Sequence, residues 1–135
     1  MLKTPSQGKV ITVAITGASG AIYAQKILRL LDADRRVSRV PLVVSETGLR
    51  LIATELNIVA PETKKLASLL TGTSAKKIEY LPNKDVGASI ASGSAPVDAM
   101  IVIPCSAGTL AAIAAGIADD LLSRAADVAS RSAAL

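Results

Sequence analysis

The chain has 135 residues, half of them apolar and 19% charged, with a net charge of +4. That is the balance of one folded domain with a sizeable core, not of a disordered tail. It has no His, Phe or Trp, one cysteine and two tyrosines, which excludes an internal disulfide, argues against a transition-metal site and leaves no aromatic platform for stacking bases.

Met1 to Lys9 is polar, and the apolar run that follows breaks at Thr16-Gly17, too soon for the core of a signal peptide. Val10 to Thr16 is β-branched and almost wholly apolar, the pattern of a strand buried on both faces. Ala21 to Leu31 predicts a helix, and Asp32 to Ser38 a charged turn that includes the Arg35-Arg36 pair. Val40 to Val44 predicts a second strand, with Pro41 pointing to a position near its start. Ser45 is placed to cap a helix over Glu46 to Leu56. After the connection around Pro61 come a short helix over Lys64 to Leu70, a turn, and a third strand over Lys77 to Leu81. Pro82 to Pro96 reads as loop.

Ala99 to Ala118 is uncharged and long enough to span a bilayer. Pro104, Gly108 and Gly116 interrupt it, and Asp98 and Asp119-Asp120 flank it where a span prefers cationic or aromatic anchors. It therefore reads as a buried strand (Ala99 to Ile103), a turn and a buried helix (Ser106 to Ala115), with no membrane span. A last helix is predicted from Asp119 to about Ala134. Lys and Arg are otherwise scattered in short pairs such as Lys64-Lys65 and Lys76-Lys77, so no basic stripe marks a nucleic-acid face.

Strands alternating with helices predict an α/β fold: a three-layer, Rossmann or flavodoxin-like parallel sheet with helices on both faces. Such sheets bind ligands beyond the carboxyl ends of their strands, which directs attention to the loops after Thr16, Val44 and Ile103.

The first of these loops, Thr16-Gly17-Ala18-Ser19-Gly20, joins a buried strand to a helix. Its glycines permit a sharp turn and close approach of a ligand, and the N–H groups of the helix start, with the Ser19 hydroxyl, are suited to an anion. The competing reading is a tight turn without a ligand. Ile22-Tyr23 stand where a dinucleotide fingerprint needs its later glycine, and no Gly-Lys-Ser/Thr follows to make a P-loop. Pro104-Cys105-Ser106-Ala107-Gly108-Thr109 repeats the device, so two adjacent strand ends could hold one mononucleotide. Against that, Ser106 also reads as a plain N-cap. Cys105 reads as a small buried hydrophobe, since no His accompanies it as a base.

Five segments occur in order: Ile15-Thr16-Gly17-Ala18-Ser19-Gly20-Ala21-Ile22-Tyr23; Val43-Val44-Ser45; Ala91-Ser92-Gly93-Ser94; Ile103-Pro104-Cys105-Ser106 with Thr109-Leu110-Ala111; and Arg124-Ala125-Ala126-Asp127-Val128. Together they resemble the flavin prenyltransferase (UbiX-type) family over about Val10 to Val128. The resemblance implies transfer of a dimethylallyl group from dimethylallyl phosphate to reduced FMN. The product, prenylated FMN, would serve a partner decarboxylase of aromatic acids, in the setting of ubiquinone biosynthesis. It implies FMN contacts from Gly17, Ala18, Ser19, Ser45, Ser106, Ala107, Gly108 and Thr109, and a substrate side lined by Ser92, Gly93 and Ser94. Ser19, Glu55 and Arg124 become the catalytic candidates: Glu55 for proton handling, Arg124 as a planar fork for a phosphate. Without the family, Glu55 is equally an exposed helix glutamate and Arg124 a surface arginine.

The resemblance further implies a homo-oligomer, a trimer or dodecamer, in the cytoplasm, which the lone cysteine fits. Members of the family run on for roughly another strand, a helix and a tail, carrying a Pro-Arg-Glu stretch and later a Tyr and an Arg for the prenyl phosphate. The 135 residues are read as a single FMN-binding domain, a C-terminally truncated member without that segment. Three other functions compete. A non-catalytic FMN-binding or assembly domain gains from the missing segment. A flavin-dependent cysteine decarboxylase would resemble its relatives in using a histidine, which this chain lacks. A short-chain reductase is suggested by the Tyr80 to Lys84 spacing, but Pro82 lies between them.

Overall fold

The apolar run after Lys9 becomes the middle of a parallel sheet. A computed structural model describes residues 8–59, 62–93 and 97–131. Its four strands are β1 (Lys9–Ile15), β2 (Val37–Val44), β3 (Ile78–Pro82) and β4 (Ala99–Val102), in the order β3-β2-β1-β4. All three pairings are parallel, with Val13 beside Leu42 on one side and Ile101 on the other. The helices are α1 (Ala21–Ala33), α2 (Glu46–Leu56), α3 (Leu66–Thr71), α4 (Ala107–Ala114) and α5 (Leu121–Arg131).

Side chains on a strand alternate between faces, and β1 and β2 feed two cores. Val13, Ile15, Leu42 and Val44 pack against Ala24 and Leu28 of α1, Ile52 of α2 and Leu70 of α3. Ala14 and Val43 face the other way, against Ile90, Leu121, Leu122 and Ala125. Leu28, Leu70 and Leu121 are each fully buried, worth about 2 kcal/mol apiece. The three-layer fold expected from the alternation of elements is the one observed.

Several local expectations shift. β2 begins at Val37, so Pro41 lies at mid-strand rather than near the start. The Val40 N–H bonds the Lys77 carbonyl of the β3 side, so alternation turns the donor that Pro41 lacks toward β1. There the pairing lapses after Val10 beside Arg39 and resumes in the same register at Val13 beside Leu42. The helix predicted over Lys64 to Leu70 is a 3-10 turn, Thr63–Lys65, followed by α3. The last helix starts at Leu121 instead of Asp119 because Asp120 folds back to cap it, accepting the Ser123 N–H at 2.8 Å.

The uncharged stretch from Ala99 resolves into a strand, a turn and a helix, but neither element is buried. β4 is half-buried along its whole length, because it ends the sheet. No residue of α4 is buried, and Leu110 is 62% exposed. Among the described residues, no helix is long and apolar enough to cross a membrane.

Candidate functional site

The strand order reverses between β1, which is followed in space by β2 and β3, and β4 on its other side. Open α/β sheets take ligands outside the carboxyl ends of the strands at such a reversal, which directs attention to the loops leaving β1 and β4. Thr16 ties the two loops together. Its hydroxyl donates to the Pro104 carbonyl at 2.7 Å and accepts the Ser106 N–H at 2.8 Å, and its own N–H reaches the Pro104 carbonyl at 3.2 Å. Thr16 is 1% exposed. Sequence reasoning treated it as the end of a strand. The available signal was a hydroxyl closing an otherwise apolar run.

The glycines of the first loop have different reasons. A Cβ on Gly17 would lie 2.3 Å from the Thr47 hydroxyl and 2.4 Å from the Thr47 Cβ, so the loop passes directly over the first turn of α2. That turn is itself seated close: a Cβ on Gly48 would lie 2.7 Å from the Ile15 carbonyl oxygen. Gly20 adopts a φ of 121° at the N-cap of α1, a conformation that favours glycine. Thr47 and Gly48 are site residues that the sequence did not single out.

Gly20 has no side chain with which to cap α1, and Glu55 supplies the cap from α2. One carboxylate oxygen, Oε1, accepts the N–H groups of Gly20 at 3.0 Å and Ala21 at 2.9 Å; the other, Oε2, accepts the Ser19 hydroxyl at 2.7 Å. The bond from Ala21, then those from Ser19 and Gly20, hold the carboxyl below the ordinary glutamate range against a small opposing effect of desolvation. An anion expected at this helix start is thus already present as a protein carboxylate. Glu55 is exposed, yet it is no free surface glutamate.

Ser45 caps α2 as predicted, accepting the Gly48 N–H at 3.0 Å, with the Thr47 hydroxyl 3.2 Å away. Ser106 caps α4 in the same way: its oxygen accepts the Thr109 N–H at 3.1 Å and its hydroxyl lies 2.9 Å from that of Thr109. The first two residues of α4, Ala107 and Gly108, are exposed, and among the described residues their N–H groups have no hydrogen-bond partner. A Cβ on Gly108 would meet nothing within 4 Å. Cys105 is exposed rather than buried, because it stands in the loop beyond the end of β4.

The remaining candidates come from the opposite face. Ser92 and Gly93 are exposed just after the 3-10 turn Ser89–Ala91, whose Ile90 packs on α5. Ser94 lies outside the described residues. Arg124 is exposed on the first turns of α5, and among the described residues its side chain forms no ion pair or hydrogen bond. The start of α5 is fixed by Asn83: its carbonyls accept the N–H groups of Leu121 and Leu122, each at 2.9 Å, and its amide donates to Asp120 at 3.0 Å. Burial works to raise the Asp120 pKa, but the bonds from Ser123 and Asn83 outweigh it and leave it lowered. Asn83 was another residue missed in a stretch read only as loop.

A hollow of about 990 Å³ lies at the other end of the sheet, where the strands begin. Its walls include Arg36 paired with Asp34 at 2.7 Å and Lys9 near Asp98 at 3.9 Å. Strand direction favours the opposite end for ligands, and the chemistry-bearing residues gather there.

The family model described as Flavoprotein matches residues 2–134. The flavin prenyltransferase UbiX of Methanocaldococcus jannaschii is 42% identical over 119 residues, covering 88% of this chain and 58% of that protein. The corresponding protein of Pseudomonas aeruginosa is 39% identical over 123 residues, with the same shares. Among solved structures, AnUbiX in complex with FMN and dimethylallyl pyrophosphate superposes with a TM-score of 0.71 at 36% identity, covering 90% of this chain and 58% of that one. A dodecameric FMN-dependent UbiX-like decarboxylase of Escherichia coli superposes with a TM-score of 0.72 at 37% identity, covering 88% and 59%. The chain spans somewhat under three fifths of the length of these relatives.

Proposed function

Because the chain belongs to the flavoprotein family, we propose that it binds FMN in the crevice between the β1 and β4 loops and takes part in flavin prenyl transfer from dimethylallyl phosphate. The observation that carries this reading is the Thr16 strap. It brings a hydroxyl–carboxylate unit, Ser19 with Glu55, and an exposed helix start, Ser106 to Thr109, to neighbouring strand ends. The residues fit a flavin mononucleotide. The loops are small and hydroxylic, and a Cβ at Gly108 would project into open space at the start of α4. The N–H groups of Ala107 and Gly108 are available for a phosphate.

In this reading Gly17, Ala18, Ser19 and Ser45 contact the cofactor, and Ser106, Ala107, Gly108 and Thr109 hold its phosphate. When bound, reduced flavin supplies the nucleophilic ring that takes the dimethylallyl group. Glu55 holds the Ser19 hydroxyl in a fixed orientation and can receive a proton through it. Arg124 would meet the phosphate of the prenyl donor, and Ser92, Gly93 and Ser94 would line the donor's side. A homo-oligomer, a cytoplasmic location and delivery of prenylated FMN to a decarboxylase complete the proposal.

The test is incubation of the purified chain with FMN, a reductant and dimethylallyl phosphate, followed by mass measurement of the released flavin. A gain of one prenyl unit is the expected result. Bound flavin of unchanged mass would reduce the proposal to a non-catalytic FMN-binding domain. A chain that cannot be loaded with FMN would refute both.

A further inference from the structure

Ile15, Val44 and Pro82 stand in register across β1, β2 and β3. Thr16, Ser45 and Asn83 therefore follow as the next residues along one edge of the sheet. The first two belong to the proposed flavin site. Asn83 brings α5, and with it Arg124, to the same edge.

An α-helix opens with four backbone N–H groups that lack partners of its own. At α5 all four are met from outside the helix. Leu121 donates to the Asn83 carbonyl and Leu122 to the Asn83 side-chain oxygen, each at 2.9 Å. Ser123 donates to the Asp120 carboxylate at 2.8 Å and Arg124 to the Asp120 carbonyl at 3.0 Å. The Asn83 amide closes the set by donating to the same carboxylate at 3.0 Å. The start of α5 therefore offers an anion no backbone donor, unlike that of α4. What it offers is the Arg124 side chain, which is exposed and, among the described residues, forms no ion pair or hydrogen bond. Further along the loop that Asn83 begins, Ile90 packs with Leu121, Leu122 and Ala125. The loop is thus fastened to α5 at two points, and Ser92 and Gly93 follow the second directly.

We propose that Asn83, through Asp120, is a positioning residue for the phosphate of the prenyl donor. It fixes the first turn of α5, so that Arg124 is held in one relation to the loop carrying Ser92 and Gly93. This deepens the proposed function and rests on its reading of Arg124.

The experiment is calorimetric titration of the 135-residue chain and its variants with FMN, and of the FMN-loaded proteins with dimethylallyl phosphate. Asn83→Asp sets two carboxyl groups against each other where an amide had bonded a carboxylate. It should weaken donor binding about tenfold and leave FMN affinity unchanged. Asn83→Asp combined with Asp120→Asn restores a bonded amide and carboxylate at the parent's net charge, and should recover the donor. Arg124→Ala should lose at least as much as Asn83→Asp, and combining these two should cost nothing further, because one acts through the other. A repulsion acting directly on the donor phosphate would persist without Arg124. If Asn83→Asp fails to fold, Asn83→Ala takes its place beside Arg124→Ala. A parent chain that takes up no FMN or no donor, or an Arg124→Ala variant that binds donor as the parent does, overturns the reading of Arg124 and this proposal together. An Arg124 effect with no loss in the Asn83 variant, with equal loss of both ligands, or with losses that add, overturns the positioning role alone.

Discussion

Glu55 caps a helix that is not its own: from α2 it accepts the Ser19 hydroxyl at 2.7 Å and the Gly20 and Ala21 N–H groups at 3.0 and 2.9 Å. The negative end of this arrangement faces the positive end of the α1 dipole. The Ser19 proton is directed at Glu55, which leaves the Ser19 oxygen able to accept. A single carboxylate thus fixes the helix start, the loop conformation and the polarity of the hydroxyl.

The pH dependence follows from the direction of the Glu55 shift. Its folded pKa lies below the ordinary value of 4.5 because of the bonds from Ala21, Ser19 and Gly20. Its contribution is therefore complete above about pH 4.5 and is lost as the pH falls through the folded value. Glu55→Gln keeps an acceptor for the two N–H groups but removes the charge. The variant should melt below the parent near neutral pH, and the gap should narrow as the pH falls below the ordinary glutamate value. A gap of constant size across that range would show that the charge has no part in the cap.

Gly17→Ala probes the contact between the first loop and α2. The new Cβ would meet both the Thr47 hydroxyl and the Thr47 Cβ, at 2.3 and 2.4 Å, so rotating the side chain gives no relief. Overpacking of this kind costs about 1–3 kcal/mol, read as a lowered midpoint in chemical denaturation, and flavin retention should fall with it. Adding Thr47→Gly removes the obstructing Cβ and should recover most of the loss. A double variant no better than the single one would place the strain elsewhere.

What could be read in the sequence was what depends on near neighbours. Helix α2 was predicted from Glu46 to Leu56 with Ser45 as its cap, and both are as observed, because capping and helical period are local signals. The parallel sheet followed from alternating elements, and its carboxyl end followed from strand direction. The exposure of β4 and α4 was misjudged, since composition reports what a segment would prefer to bury and not what covers it. The contacts that shape the site were illegible for a related reason. Glu55 meets its partners 34 to 36 positions away, and Thr16 meets Ser106 across 90. Those distances close only after α1, α2 and β4 have been placed on the sheet.

Asn83 offers a test on the other face. Asn83→Ala leaves the Leu122 N–H without its acceptor and removes the donor to Asp120. The loss of two part-buried bonds should cost about 1–3 kcal/mol. Hydrogen exchange should quicken at the start of α5 before it does so in β1 or β2, because the clamp holds α5 to the loop after β3. Uniform acceleration through the sheet would instead mean that α5 and the sheet open as one unit.

Two threonines, one within β1 and one just beyond its end, should respond in opposite directions to the same substitution. Thr12 and Thr16 are each 1% exposed. The Thr16 hydroxyl makes the strap to Pro104 and Ser106, whereas the Thr12 hydroxyl has no hydrogen-bond partner among the described residues. Valine matches threonine closely in shape, so the change isolates the hydroxyl. Thr16→Val leaves the Ser106 N–H unpaired, and the penalty for a stranded group is about 1–3 kcal/mol. Thr12→Val removes a buried polar group that earns no bond, and should be neutral or stabilising by up to about 1 kcal/mol. The flavin should be held less tightly by the Thr16 variant alone, because only that residue joins the two loops of the crevice. Denaturant midpoints and FMN titrations of the two variants, measured side by side, decide the matter. Equal destabilisation would mean that the strap contributes nothing beyond the burial of a methyl-sized group.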